Sequence, residues 1–369
     1  PTLVRNNKKK DSIIIFKKYC MDKKELRIVF MGTPEFAVES LKALVENGYN
    51  IVGVVTQPDK PVGRHQEKLQ PSPIKKYAET VGLQVLQPSK LKDAEFIEKL
   101  RGLKADLQVV VAFRMLPEIV WSMPRFGTFN IHAALLPQYR GAAPINWAVI
   151  NGETETGVTS FFLDKNIDTG RIIKQKNFII PEDVDVEYVY NGLMKLGAQL
   201  TIETIELLCT KISENFSANE VLTAEKILIV LNNITKAQQE PDDLHYAPKI
   251  FNETCEIDWN KNSNTIYNFV RGLSPYPGAW SKMILLDKKL SSAKDTKEMV
   301  LKIFKMSKTN KPVIGKPGTF FIENKTIYIN SNDFLLELKE LQLSGKKRMD
   351  SISFLNGFKQ IANYKLETK

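Results

Sequence analysis

Cysteine is scarce in this chain: Cys20, Cys209 and Cys255 lie far apart, and no CxxC pair occurs in 369 residues. That spacing excludes a disulfide framework and a thiolate zinc site, so no metal is expected. Long apolar runs are also missing. No stretch approaches the roughly 18–20 apolar residues that span a bilayer, and Ile13–Phe16 is too short for a signal-peptide core, so the expectation is a cytoplasmic protein with no membrane partner. A third absence is the GxGxxG fingerprint. Gly32-Thr33-Pro34 sits where a dinucleotide loop would begin, but without the further glycines it reads as a tight turn.

Charge is present in quantity and unevenly placed. The formal total is +10; residues 1–20 carry six Lys or Arg against Asp11, and residues 241–369 carry 21 against 14. The middle is therefore close to neutral, which suits a protein whose ends meet a polyphosphate while its centre handles something smaller. Residues 1–25 read as a basic N-terminal extension, with Met21 a natural start. As an organellar targeting segment it would instead place the protein in an organelle matrix.

From Leu26 the periodicity is that of alternating strands and helices, which predicts an α/β fold with an open, mostly parallel sheet. Leu26–Met31 reads as a buried strand. Thr33 is expected to cap a helix beginning at Pro34, with Phe36, Ala37, Leu41, Leu44 and Val45 on its apolar face. Strands are expected at Asn50–Thr56, Gln84–Leu86, Ala105–Phe113, Thr128–Ala133, Gly157–Asp164 and Ile172–Ile180, with helices at Ser72–Thr80, Ala94–Leu103 and Val186–Leu208. The domain so defined is 26–234. Residues 235–245, polar and without large apolar side chains, read as a linker, and the short strands with frequent turns in 246–369 predict a small β-barrel or sandwich.

The chemistry gathers around Asn130–Pro144 (NIHAALLPQYRGAAP). On a strand, Asn130 and His132 share one face, placing an amide donor beside an imidazole. Such a pair suits attack on a carbonyl-type carbon, where donors stabilise the charge that develops on oxygen. Asp168, in the turn Asn166–Gly170, supplies the third group if it lies beside His132.

These segments, read through NIHAALLPQYRGAAPINWAVINGETETGVTSFFLDKNIDTG, resemble the signature region of the 10-formyltetrahydrofolate-dependent formyltransferases. The resemblance runs from Leu26 almost to the end and is nearest to members whose acceptor is methionyl initiator tRNA. It implies a formyltransferase, monomeric and acting in translation initiation, with a Rossmann-like catalytic domain and an OB-like C-terminal barrel. It further implies Asn130, His132 and Asp168 as the catalytic triad, and a folate cleft walled by Phe113, Met115, Leu116, Pro117, Leu135, Leu136 and Pro137. Arg114 and Met115 depart from the small or aliphatic residues usual there, and Ala134 from the usual serine.

The Pro-, Gly- and charge-rich segment Gln57–Pro73 is long for a connection inside an α/β domain. It resembles the insertion that meets the acceptor stem of the tRNA, with Arg64 at the key basic position and Lys60 and Lys68 beside it. Lys302, Lys305 and Lys308, continued by Lys311 and Lys316 with no intervening acid, suit a stripe along an RNA backbone. Other acceptors, such as a nucleotide amino-sugar, would share the triad without needing these basic elements, and a non-catalytic RNA-binding protein would leave the triad idle.

Overall fold

The computed structural model describes residues 23–62, 68–216, 223–286 and 299–369. The chain alternates as its apolar periods require. β1 (Arg27–Gly32), α1 (Glu35–Glu46) and β2 (Asn50–Val55) come first, followed by a hairpin of β3 (Lys60–Val62) and β4 (Lys68–Gln70). Next are α2 (Pro73–Thr80), β5 (Val85–Leu86), α3 (Ala94–Gly102), β6 (Leu107–Val111), α4 (Glu118–Trp121) and β7 (Thr128–His132). β8 (Arg140–Gly141), α5 (Pro144–Ile150), β9 (Glu155–Phe162), β10 (Ile172–Ile179), α6 (Val186–Asn215) and α7 (Ala224–Asn233) complete this part.

The principal sheet runs β10-β9-β7-β6-β1-β2-β5. The strands from β7 to β5 pair in parallel, and β9 joins β7 antiparallel, setting Asn130 opposite Phe161 and His132 opposite Thr159. A parallel sheet covered on both faces needs unbroken apolar strands; Val29–Met31 and Val109–Val111 are accordingly buried at every residue. The strand order reverses between β1 and β6, the arrangement in which open α/β sheets collect ligands beyond the strands' carboxyl ends. Gly32 ends β1 there. A Cβ on it would meet the Ala37 Cβ at 2.7 Å and the Val111 carbonyl oxygen at 3.0 Å, so this glycine lets α1 approach the sheet closely.

Local expectations fail where longer-range packing decides. Thr33 is not the cap of α1: Pro34 occupies that place without a side-chain bond, the helix starts at Glu35, and the Thr33 hydroxyl is buried without a hydrogen-bond partner. Ser72 does cap α2, accepting from the Lys75 amide at 3.1 Å. β6 is shorter than the apolar run because Ala112 turns to φ +47°. α6 continues to Asn215 as one 30-residue helix, and the segment expected as an irregular loop before Pro73 contains the β3–β4 ladder.

The C-terminal part contains β11 (Tyr246–Ala247), α8 (Ser263–Gly272), β12 (Ala279–Leu285), β13 (Met299–Pro312), β14 (Phe320–Glu323) and β15 (Thr326–Asn330). β16 (Phe334–Leu343), β17 (Met349–Asp350), α9 (Ser351–Gly357) and β18 (Tyr364–Leu366) finish it. Its antiparallel sheet runs β14-β15-β16-β13-β12-β18, with β17 on β16. A bridge between Thr319 and Lys365, and the Leu366 amide donating to the Gly318 carbonyl at 2.7 Å, join the two ends, so the sheet curls back on itself as the short strands imply. Trp259 lies fully buried in its core, packed among residues that include Ile257, Ile303, Ile329 and Leu338, and its indole N–H donates to Ser281 Oγ at 2.9 Å.

By their contacts the described residues form two compact units. One holds those up to His132 with Thr159–Gln175 and Gly197–Gln239; the other holds Ala133–Val158, Lys176–Leu196 and Glu240–Lys369. The last crossing falls inside the polar stretch 235–245, whereas the earlier ones carry no compositional mark. Among the described residues no helix is long and apolar enough to cross a membrane.

Candidate active site

Asn130 and His132 are two residues apart on β7 and therefore face the same side of the sheet. His132 is 6% exposed and meets the Phe161 ring edge to face, with centroids 6.5 Å apart. Its Nδ1 lies 3.8 Å from Oδ2 of Asp168, itself largely buried. That separation exceeds a direct hydrogen bond but suits an ion pair with imidazolium or a single bridging water. Asn130 is half-buried, and among the described residues its Oδ1 is buried without a hydrogen-bond partner. That oxygen is an acceptor, so the amide's donor group, Nδ2, is the part of Asn130 that can face a developing negative charge.

Asp168 reaches this position on a turn between β9 and β10 with φ +56°, a left-handed conformation uncommon outside glycine, asparagine and aspartate. Asp164 holds the near side of the turn: it accepts from the Asn166 amide at 3.0 Å, and the Thr169 hydroxyl lies 2.8 and 3.0 Å from its two oxygens. Gly170 lies so close to β9 that a Cβ on it would stand 1.6 Å from the Phe162 carbonyl oxygen. On the far side Arg171 donates to Thr235 Oγ1 at 2.8 Å and to the Thr235 carbonyl at 2.7 Å, and Gln238 Nε2 donates to the carbonyls of Asp168 and Gly170, both at 2.8 Å. Sequence reasoning missed Gln238, because nothing local distinguishes it within a polar stretch.

The expected folate wall divides by burial. Leu116 is 7% exposed and packs in the core cluster that includes Val110, Phe96 and Val120, while Met115 is 68% exposed. Phe113 and Pro117 are half-buried. Arg114 turns back to donate to the carbonyls of Ser89, at 2.8 Å, and Pro88, with burial pushing its guanidinium pKa down. In the other unit Leu135 and Pro137 are half-buried, Leu136 is buried, and the Leu136–Pro137 peptide is cis. Tyr139, two residues on, stacks on His245 and shares its hydroxyl with Glu153 and Asn151.

Of the basic residues, Lys60 is exposed at the start of β3, Lys68 opens β4 opposite Val62, and Arg64 lies outside the described residues. On β13, Lys302 donates to the Pro277 carbonyl at 2.9 Å, and Lys308 pairs with Glu182 and lies 5.2 Å from the Tyr267 ring centroid. Lys311 pairs with Glu323, while Lys305 is exposed. The lysine run is thus partly neutralised by carboxylates that come from elsewhere in the sequence.

Residues 26–205 match the family model described as formyl transferase, and residues 249–359 match that of the formyl transferase C-terminal domain. A protein of Parabacteroides distasonis called methionyl-tRNA formyltransferase is 54% identical over 93% of this chain and 99% of its own. The chain belongs to the formyltransferase family. A Flavobacterium johnsoniae protein of the same name is 44% identical over 90% of this chain and 96% of its own. Among solved structures, WlaRD, a sugar 3N-formyl transferase, is similar with TM-score 0.55 at 20% identity, covering 87% of this chain and 99% of that one. HypX from Aquifex aeolicus, in complex with tetrahydrofolic acid, has TM-score 0.55 at 18% identity, covering 90% of this chain and 47% of its own. These two likenesses bear on fold alone. A formyltransferase places the Asn130–His132–Asp168 geometry in a chemical context: transfer to an amine needs charge stabilised on the formyl oxygen and a route for the amine's proton.

Proposed function

We propose that this chain transfers the formyl group of 10-formyltetrahydrofolate to the α-amino group of methionyl initiator tRNA, acting in the cytoplasm as a monomer in translation initiation. The end-to-end 54% identity to a protein named for that activity carries the reading. In it residues 26–234 perform the transfer, 246–369 meet the tRNA, and 235–245 link them.

The folate supplies an activated formyl carbon. The Nδ2 donor of the Asn130 amide and the imidazole of His132, side by side on β7, are suited to stabilise negative charge growing on the formyl oxygen. Asp168, 3.8 Å from His132 Nδ1, lies where it can take up the amine proton directly or through water. Phe113, Met115, Leu116, Pro117, Leu135, Leu136 and Pro137 remain the proposed folate contacts, with buried Leu116 and Leu136 acting by shaping the backbone. Lys60, Arg64, Lys68, Lys302, Lys305 and Lys308 remain the proposed tRNA contacts, Lys305 and Lys308 being exposed and Lys302 half-buried.

The test is transfer of labelled formyl from 10-formyltetrahydrofolate to methionyl-tRNA, with free methionine, uncharged tRNA and a nucleotide amino-sugar as parallel acceptors. Label is expected on methionyl-tRNA alone, and N130A, H132A and D168A should each lower kcat by roughly 10²–10³ with unchanged Tm. R64A should weaken use of the tRNA and leave the folate KM unchanged. Label on the sugar, or formate released without an acceptor, would overturn the assignment.

A further inference from the structure

We propose that Gln238 is a positioning residue that sets the Asp168 carboxylate against His132, acting from the polar stretch that follows α7. The inference rests on the role given to Asp168 above. A glutamine amide has two N–H donors, and Gln238 directs Nε2 at two backbone carbonyls of the catalytic turn, those of Asp168 and Gly170, each at 2.8 Å. These two carbonyls bracket Thr169, so the amide grips the turn at the residue that carries the carboxylate and again beyond it.

The turn needs such a grip. Asp168 holds φ +56° without being glycine, a conformation that persists only when surrounding structure over-determines it. Asp164 ties Asn166 before it and the Thr169 side chain after it, and Gly170 allows close approach to the Phe162 carbonyl. Gln238 supplies the constraint on Asp168's own peptide unit. Its backbone is anchored just upstream, where Lys236 exchanges two hydrogen bonds with Ile172, both at 2.8 Å, and Thr235 receives Arg171. The side chain is therefore delivered from a fixed point, as a supporting contact must be to hold a reacting group within tenths of an ångström.

The decisive substitution is Gln238→Glu, which keeps shape and length but puts a carboxylate opposite two carbonyl oxygens. In single-turnover transfer with enzyme in excess, Q238E should slow the step by roughly 10- to 100-fold, the effect of misplacing a catalytic group by a fraction of an ångström to an ångström. KM for folate and for methionyl-tRNA should stay within about twofold, and in a D168A background the same substitution should change the rate by less than about twofold. A purely structural tie would slow D168A as much as the wild type, and that additivity would overturn the proposal, as would a wild-type rate for Q238E. If Q238E does not fold, Gln238→Ala is carried through the same cycle and decides it. Absence of transfer by the wild type would instead refute the proposed function, and D168A at full rate would remove Asp168 and Gln238 together.

Discussion

Gly170→Ala is the most direct way to ask whether the Asp168 turn must sit where it does. The added methyl would stand 1.6 Å from the Phe162 carbonyl oxygen, 2.8 Å from its carbonyl carbon and 3.3 Å from Phe161 Cδ2. An ordinary C···O contact begins near ~3.3 Å, so the turn and β9 must separate by about 1.7 Å. β9 is paired to β7 from Phe129–Phe162 to His132–Thr159, so it is the turn that yields. The carboxylate, now 3.8 Å from His132 Nδ1, moves by a similar amount. Overpacking of this kind costs about 1–3 kcal/mol, which lowers Tm by about 2–4 °C per kcal/mol in a domain of roughly 150–250 residues. The loss in kcat is expected to be ~10²-fold or more, out of proportion to the loss of stability. Single-turnover formyl transfer and calorimetry measure the two together, with Gly102→Ala as control: Gly102, at the end of α3, has nothing within 4 Å of an added Cβ. A G170A protein with lowered Tm and wild-type kcat would refute the reasoning, since the turn would then be shown free to move without chemical consequence.

Two further outcomes test the C-terminal core. Trp259→Ala removes the largest fully buried side chain and leaves Ser281 without its indole donor, and should destabilise that part by about 3–5 kcal/mol in a denaturant titration that follows its unfolding. Asp333 is partly buried, which raises its pKa, but donors from the Ser263 amide, Ser331 hydroxyl and Phe334 amide outweigh burial and hold it below the ordinary value. A depressed carboxyl contributes stability that is complete above its unfolded pKa of about 3.9 and is lost as pH falls through the lower folded value. Asp333→Asn should therefore flatten the acid limb of stability against pH, and an unchanged limb would show that those bonds do not favour the ionised form.

The parts of this molecule visible in the sequence are those governed by near neighbours. Parallel strands announce themselves because both faces are covered, so Val29–Met31 and Val109–Val111 carry no polar residue. Asn130 and His132 are legible as a pair because the strand period alone puts them on one face. What stayed hidden depends on partners distant in the chain. Thr33 has every local qualification for a cap, yet the helix begins beyond Pro34. The lysine run of β13 looks uniformly available until Glu182 and Glu323 are brought to Lys308 and Lys311. The stretch around Gln238 looks like a spacer because the two bonds of Gln238 to the Asp168 turn run to residues 70 and 68 positions earlier.

The conformation of Asp168 ties these observations to function. A left-handed residue with a Cβ costs about 1–2 kcal/mol, and glycine would relieve that cost at once. Glycine has no carboxylate. A position that requires both a positive φ and an ionisable side chain can be filled only at the expense of stability, and the neighbouring structure must offset it. It does so with Asp164 on one side, Gly170 against β9, and Arg171 and Gln238 on the other. The turn is thus held from three directions around one strained residue, and strain supported in this way is located at the group we propose moves a proton. The asymmetry has a mechanistic reading. Asn130 and His132 sit on a strand whose geometry the sheet fixes without further expense, whereas Asp168 must be brought across from a turn, so the contacts beyond the triad gather where regular structure gives no support.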